Sequence, residues 1–407
     1  MKKHYNILND YRFIKYYNIL KRLKFYKSKI RTYIFKNYEI GTFSKAGIED
    51  LVKDECVLEE PMEREMCIPE YIGISGQQIK KFGCSKVYCG TIKNVSVVGA
   101  TSCLFQDNTC LDDTFVKQDE RLDVSYGPIM FDYGDRVVAR YHDAGKQIAF
   151  GISLVGCAPS NYYHATVELL SKLLYVQNMD SYCDWPLIVD EAILSIPQLK
   201  QVLDKMNDTN RKVIPIKEGY CYQVKNLLYI SRSCWMPMNV KDRESTQESD
   251  FTISTKLIKA IREKMMGEKI AKPERKVFIS RRNAVNPRLI NEVEVKEFFV
   301  AHGFEVAYPE EMTVEEQIAF FSSVSCMVAA TGAAMTNILY CPENAIIGCI
   351  IPKEFRFYLY STIAYLLKQK PIFLSADIKK KMFWPAMDRF TLEMKYCEEF
   401  IQKIQME

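Results

Sequence analysis

Val277-Phe278-Ile279-Ser280-Arg281-Arg282, followed by Asn291-Glu292 and then by Thr331-Gly332-Ala333-Ala334-Met335-Thr336-Asn337, is the stretch on which the fold is read. Short apolar runs at 277–280, 304–307, 326–330 and 345–351 alternate with helix-length amphipathic segments at 292–301, 313–322 and 332–340. Alternation of this kind predicts parallel β/α units. In an open parallel sheet a ligand binds just beyond the carboxyl ends of the strands. Two arginines follow the first run there, and a turn of small residues opening a helix follows the third.

That turn has a physical use. The first N–H groups of a helix lack intrahelical partners and carry partial positive charge. With only Gly332, Ala333 and Ala334 present, a phosphate is expected to approach the backbone closely, while Arg281, Arg282 and Arg288 supply fork-shaped, permanently charged donors suited to a diphosphate. Taken singly, each feature also suits a tightly packed helix and solvated arginines. Their placement at one edge of one inferred sheet favours a phosphate site.

The order of the motifs is also informative. Ser280-Arg281, Arg288, Asn291-Glu292, Gly303-Phe304-Glu305-Val306, Pro309-Glu310-Glu311-Met312, Glu316-Gln317-Ile318, Gly332-Ala333-Ala334-Met335-Thr336-Asn337 and Pro342 together resemble glycosyltransferase family 61. Upstream, Asn161-Tyr162-Tyr163-His164, with Glu168 one helical turn on, is similar to the family's Asn-Tyr-Tyr-His-Trp signature, and the resemblance runs from about residue 95 to the C-terminus. Three positions differ from the family pattern: Ala165 stands for the usual Trp, Thr331 for a His, and Cys349 for a Glu.

The resemblance implies the GT-B arrangement, two Rossmann-like doubly wound lobes facing a cleft, with the donor held by the C-terminal lobe and the acceptor by the N-terminal one. It implies transfer of a hexosyl or pentosyl group from a nucleotide-diphosphate sugar to a glycan hydroxyl, with inversion, in capsule or surface polysaccharide synthesis. The donor-binding residues implied are Arg281, Arg282, Arg288, Asn291, Glu292, Thr331, Gly332, Ala333, Ala334, Thr336 and Asn337. His164 is the candidate general base, with Glu168 and Asp190 as competing choices. No Asp-x-Asp pair closes a strand, so a metal-independent mechanism without cofactor is expected, its leaving group stabilised by arginines and helix N–H groups. The alternative is a nucleotide-binding or scaffold protein that keeps the fold without turnover.

The length, 407 residues, suggests more than one domain, since single cores seldom grow past about 250–300 residues. The expected division is a basic aromatic segment at 1–45, a β-rich and α/β acceptor-side lobe at 46–250, a nucleotide-sugar-binding α/β lobe at 251–385 and a helical tail at 386–407. The formal charge of +4 conceals an asymmetry: residues 1–40 contain eleven Lys and Arg against Asp10 and Glu39, a net +9, which leaves −5 for the rest. This segment is interleaved with Tyr, Phe, Ile and Leu and has no uninterrupted apolar core, so it reads as neither a secretory signal nor a membrane span. Two readings stay open for it, an amphipathic helix on an anionic membrane surface and a solvated helix packed on the enzyme body. Nothing further along the chain supports nucleic-acid binding. The location expected is cytoplasmic, peripheral at the inner membrane face, with the acceptor glycan lipid-linked.

Fourteen cysteines are scattered without a Cys-x-x-Cys pair, and there are only four histidines, so reduced thiols are expected rather than zinc sites or a disulfide framework. Residues 86–150 carry short alternating runs broken by Gly and Asp-Asn turns, a β-rich opening region. A strand at 147–155 then leads through a loop to Asn161, a candidate cap for a helix reaching about residue 178. Along that helix His164, Glu168, Ser171 and Tyr175 form a polar stripe.

Overall fold

The computed structural model describes residues 39–406 apart from 75, 116–118, 238, 241–244, 268–271, 283–286 and 383–386. All but the last two residues of the basic 1–40 segment lie outside the described residues.

The first half is built on one ten-stranded sheet. Its longest strand, Arg136–Ser153, serves two structures. The first part pairs antiparallel with Glu39–Ala46, Tyr141 facing Glu39 and Arg136 facing Ser44. With Thr109–Leu111, Leu104–Gln106, Val87–Val98 and Tyr220–Ile230, these strands close a ring, which removes their free edges. The second part runs parallel to Tyr220–Ile230 on one side and to Leu187–Asp190 on the other, with Val213–Ile216 beyond. A register shift between Asp143 and Gln147 separates the two parts. Gly145 sits in that bulge at φ +60°, a conformation glycine adopts without steric cost, and its N–H is taken by Asp143 Oδ1 at 2.9 Å. In chain order the parallel strands run fourth, first, second, third, so the crossover lies between Arg136–Ser153 and Tyr220–Ile230.

The second half carries the parallel sheet read from the apolar runs. Its spatial order is Glu305–Ala307, Arg275–Ile279, Val324–Ala330, Ile346–Pro352, Lys370–Lys380 and Arg389–Thr391, the last antiparallel to its neighbour. Val277, Phe278, Met327, Val328, Ile347 and Cys349 are sealed from water on both faces, as a sheet covered by helices on both sides requires. Chain order across these six strands is second, first, third, fourth, fifth, sixth. The topological switch therefore falls between Arg275–Ile279 and Val324–Ala330, the place where open α/β sheets form a ligand crevice.

The α/β class is as expected, and several local elements differ from their sequence reading. The strand expected last, at 371–374, extends over Lys370–Lys380, and Arg389–Thr391 follows it. The segment 251–266 is divided: a 3-10 turn Glu248–Phe251 and a short strand Thr252–Ile253 precede the helix Thr255–Met266, which begins where the Ser254 side chain accepts the Leu257 N–H. The helix expected at 161–178 opens as a π turn, His164–Leu169, continues as a 3-10 turn, Leu170–Lys172, and ends as α-helix, Leu173–Val176. The tail forms the helix Met394–Met406, whose Cys397 and Phe400 join the core of the second sheet.

The two halves are not separated by solvent along their whole contact. Leu173, Leu203, Ile258, Ile318, Ile347 and Ile363 belong to one apolar cluster spanning both. Each such side chain, fully withdrawn from water, contributes roughly 1.5–3 kcal/mol. A further link is the two-residue strand Glu70–Tyr71 from the first half, which adds parallel to Lys370–Lys380 in the second. Among the described residues no helix is long and apolar enough to cross a membrane.

Candidate active site

Strand Arg275–Ile279 ends at the switch point, and Ser280 and Arg281 continue past it. Glu292, the first residue of helix Glu292–Ala301, accepts the Ser280 hydroxyl at 2.6 Å and the Arg281 N–H at 2.7 Å through one oxygen, which pins the turn. From there Arg281 Nη1 reaches the Thr331 carbonyl at 3.4 Å, and Arg288 Nη1 reaches the same carbonyl at 3.0 Å. Two guanidinium groups thus converge on one oxygen beyond the neighbouring strand Val324–Ala330.

Their surroundings are electrostatically unbalanced. Neither arginine forms a salt bridge with a carboxylate among the described residues, and the Nε of each is sealed from solvent without a hydrogen-bond partner. Burial depresses both, and the Arg281 charge depresses Arg288 further, to about 10. Like charges held together out of water are unfavourable unless an anion joins them.

Gly332 has a role that its sequence context did not suggest. A Cβ placed there would lie 1.7 Å from Arg281 Nη1. Its missing side chain admits the guanidinium against the backbone. The segment Ala333–Leu339 after it is a seven-residue 3-10 helix. Thr336 and Asn337 are buried within it, Asn337 bonding the Ala334 carbonyl at 3.1 Å, while Ala333 and Ala334 are half-buried.

The candidate base lies at the start of the π turn in the first half. Asn161 Oδ1 takes the Tyr163 N–H at 2.9 Å and the His164 N–H at 3.4 Å, the capping role expected of it. His164 Nδ1 is 2.6 Å from Glu168 Oε2, with side-chain exposures of 12% and 21%. A carboxylate at Nδ1 holds the proton on that nitrogen and leaves the Nε2 lone pair free to take another. Of the stripe's other members, Ser171 bonds back to the Val167 carbonyl, and Tyr175 donates to Glu59 at 2.5 Å.

Tyr360, in helix Leu359–Leu366, connects the two groups. Its ring meets Tyr163 edge-on at 6.2 Å, and Tyr163 in turn meets the His164 ring at 5.3 Å. The Tyr360 hydroxyl feels the charges of Arg288, Arg281 and Glu168. Tyr162 and Tyr340 add a second bridge between the halves, their hydroxyls 3.0 Å apart. The sequence marked 357–367 as a helix by its apolar spacing. No motif singled out Tyr360, because its importance comes from what the other half brings beside it.

The remaining sequence candidates separate by position. Arg282 turns outward, bonding Glu311 at 3.0 Å with its guanidinium 3.7 Å from the centre of the Tyr308 ring. Asn291 ties the Arg288 region to the last strand, donating to the Leu392 carbonyl at 2.9 Å and accepting the Leu392 N–H at 3.1 Å. Asp190 is 1% exposed, and its oxygens take the Ala100 N–H at 2.6 Å and the Gly156 N–H at 3.2 Å. Burial pushes its carboxyl up to about 7 against the pull of those two bonds. Thr331 and Cys349, two of the departures from the family pattern, are both buried and lie side by side, the Thr331 N–H bonding the Ile350 carbonyl at 3.0 Å.

The second half thus holds an arginine pair without a salt bridge among the described residues at its sheet crossover, and the first half holds a histidine paired with a carboxylate. Residues 162–348 match the family described as Glycosyltransferase 61. That stretch holds His164, Glu168, Asp190 and every donor-side candidate, and its similarity supports a glycosyltransferase. No curated protein matches the chain.

Proposed function

We propose that the protein transfers a sugar from a nucleotide-diphosphate donor to a hydroxyl of a glycan acceptor, with inversion at the anomeric carbon and without a metal ion. The observation that carries this reading is the Arg281–Arg288 pair, two guanidiniums that share the Thr331 carbonyl and form no salt bridge among the described residues. A departing diphosphate supplies the missing negative charge, and bidentate arginine donors suit its oxygens. His164 Nε2 takes the proton of the acceptor hydroxyl as that oxygen bonds to the anomeric carbon. The bond from that carbon to the phosphate oxygen breaks, and the nucleotide diphosphate leaves towards the arginines. Glu168 orients the imidazole and stabilises its charged form.

The same reading divides the chain into a GT-B-like pair of lobes at 46–250 and 251–385, with the acceptor on the first and the donor on the second. Capsule or surface polysaccharide synthesis on a lipid-linked acceptor is the setting it fits. A thermal-shift screen of nucleotide diphosphates and their sugars, coupled to measurement of nucleotide released, tests it. Selective binding stabilises the native state by mass action, about 2.7 kcal/mol at a hundredfold excess over Kd. Stabilisation with slow release in the absence of acceptor is expected, and a panel in which no nucleotide stabilises the protein would overturn the donor assignment. The Thr331–Cys349 pair, neutral where the family pattern has His and Glu, favours a second reading, a nucleotide-binding protein without turnover. Binding with no nucleotide release under any acceptor mixture would select it.

Residues 1–40, at a net +9 and interleaved with aromatics, place the enzyme at an anionic membrane surface in this proposal. Their attraction is screened over roughly 8 Å at physiological ionic strength. Full-length protein should therefore partition onto anionic liposomes, less so as salt rises, and a variant lacking 1–40 should partition weakly. Equal partitioning of the two would remove this part of the proposal.

A further inference from the structure

Among the described residues, strand Lys53–Glu59 joins the first sheet through Val87–Val98 alone, to which it runs antiparallel, and the register sets Cys56 directly opposite Cys89. Opposed residues in an antiparallel pair have Cα atoms about 4.5–5.5 Å apart. That lies inside the roughly 4.4–6.8 Å that a disulfide spans. The exposure of the two thiols is asymmetric: Cys56 is exposed and Cys89 is 1% exposed. Cys103 and Cys110 are near in sequence, but both are buried and closed to a dissolved reagent, and the register sets Cys110 opposite Phe105.

We propose that Cys56 and Cys89 form a reversible thiol–disulfide site that reacts with small disulfides of the glutathione type. The Cys56 thiolate attacks one sulfur of the reagent disulfide, forming a mixed disulfide and releasing one thiolate, which takes up a proton. The Cys89 sulfur, after losing its proton, then attacks the Cys56 sulfur and displaces the second reagent thiolate. Two protein thiols are oxidised to one disulfide, and one reagent disulfide is reduced to two thiols. Burial pushes the Cys89 thiol up to about 12, so the second step is slow at neutral pH and quickens with alkalinity.

The bond would fasten a strand that supports the candidate base. Lys53–Glu59 ends at Glu59, whose carboxylate takes Tyr175 Oη and Ser254 Oγ and pairs with Arg64 at 3.0 Å. Tyr175 lies on the same segment as His164 and Glu168. Oxidation is thus expected to raise thermal stability while leaving nucleotide binding unchanged.

The test treats the folded full-length protein with oxidised glutathione, blocks free thiols by alkylation and maps peptides by mass spectrometry. Expected are a linked Cys56–Cys89 peptide, the loss of two hydrogen atoms from the protein, and a melting temperature that rises and returns on reduction. The linking rate should climb between pH 7 and pH 9, close to tenfold per unit while Cys89 remains mostly protonated. Cys89→Ser should stop with glutathione on Cys56, and Cys56→Ser should leave Cys89 unmodified. A protein that keeps glutathione on Cys56 without ever linking to Cys89, or that links Cys103 to Cys110 first, overturns the proposal.

Discussion

Arg288→Met is expected to give a ligand-free protein that melts a few degrees higher than wild type and binds nucleotide diphosphate ten- to a hundredfold more weakly. The two effects have one cause. Arg288 shares the Thr331 carbonyl with Arg281, its Nε has no partner, and burial beside a like charge depresses it to about 10. The unfolded chain holds the same proton in water at no such cost. Folding is therefore penalised at every pH below about 10, and the penalty fades as pH rises through the window from there to the ordinary arginine range. Methionine removes the buried charge and keeps much of the volume, a replacement that is often stabilising, by about 1–4 kcal/mol in measured cases. Binding moves the opposite way, because each charge-assisted bond to the diphosphate contributes about 1.5–3 kcal/mol. Arg281→Met should behave similarly. Calorimetric titration with a nucleotide diphosphate beside a melting curve for each variant measures both effects. Unaltered affinity in both variants would mean that the donor binds elsewhere.

His164→Ala is expected to lower turnover by roughly 10²–10⁴-fold while nucleotide affinity stays within a factor of two or so of wild type. Among the described residues its ring meets Tyr163, which meets Tyr360, and neither arginine bonds to it, so its loss is expected to leave the donor side intact. Glu168→Gln should lose less, since an amide oxygen can still accept the Nδ1 proton but carries no charge to stabilise the imidazolium. Asp190→Asn should act on stability instead of on chemistry. Its carboxyl is raised to about 7 in the folded protein, above the ordinary carboxylate value, so the folded state keeps a proton that the unfolded chain has lost. The native group therefore makes stability decline as pH rises from about 4 to 7, and the Asn variant should flatten that decline. Should His164→Ala retain near-normal turnover while a carboxylate variant loses it, the base is that carboxylate.

Much of the second half was legible because its physics is local. Apolar runs of strand length separated by amphipathic segments admit little besides parallel β/α units, and Arg281 follows one run directly, so its place at the carboxyl edge came with the strand. Period-two alternation at a strand end also explains why Arg281 and its neighbour Arg282 part company, one reaching Thr331 and the other Glu311. That signal was available, and grouping the two arginines overlooked it. Asn161 as a cap and the 164–168 pair are likewise relations within one turn.

What the chain alone determined, then, is the set of elements, the edge to which Ser280-Arg281 and Thr331-Gly332 belong, and the short-range pairing of His164 with Glu168. Tertiary structure decided everything that depends on which elements meet. The strand order, set by crossover connections, placed the switch point between Arg275–Ile279 and Val324–Ala330. Side-chain reach brought Arg288 to the carbonyl already occupied by Arg281, and helix packing set Tyr360 between that pair and the dyad. The antiparallel register put Cys56 against Cys89 across 33 residues of chain. Such relations have no period in the sequence, because burial and backbone pairing select partners by position in space and leave their separation along the chain free.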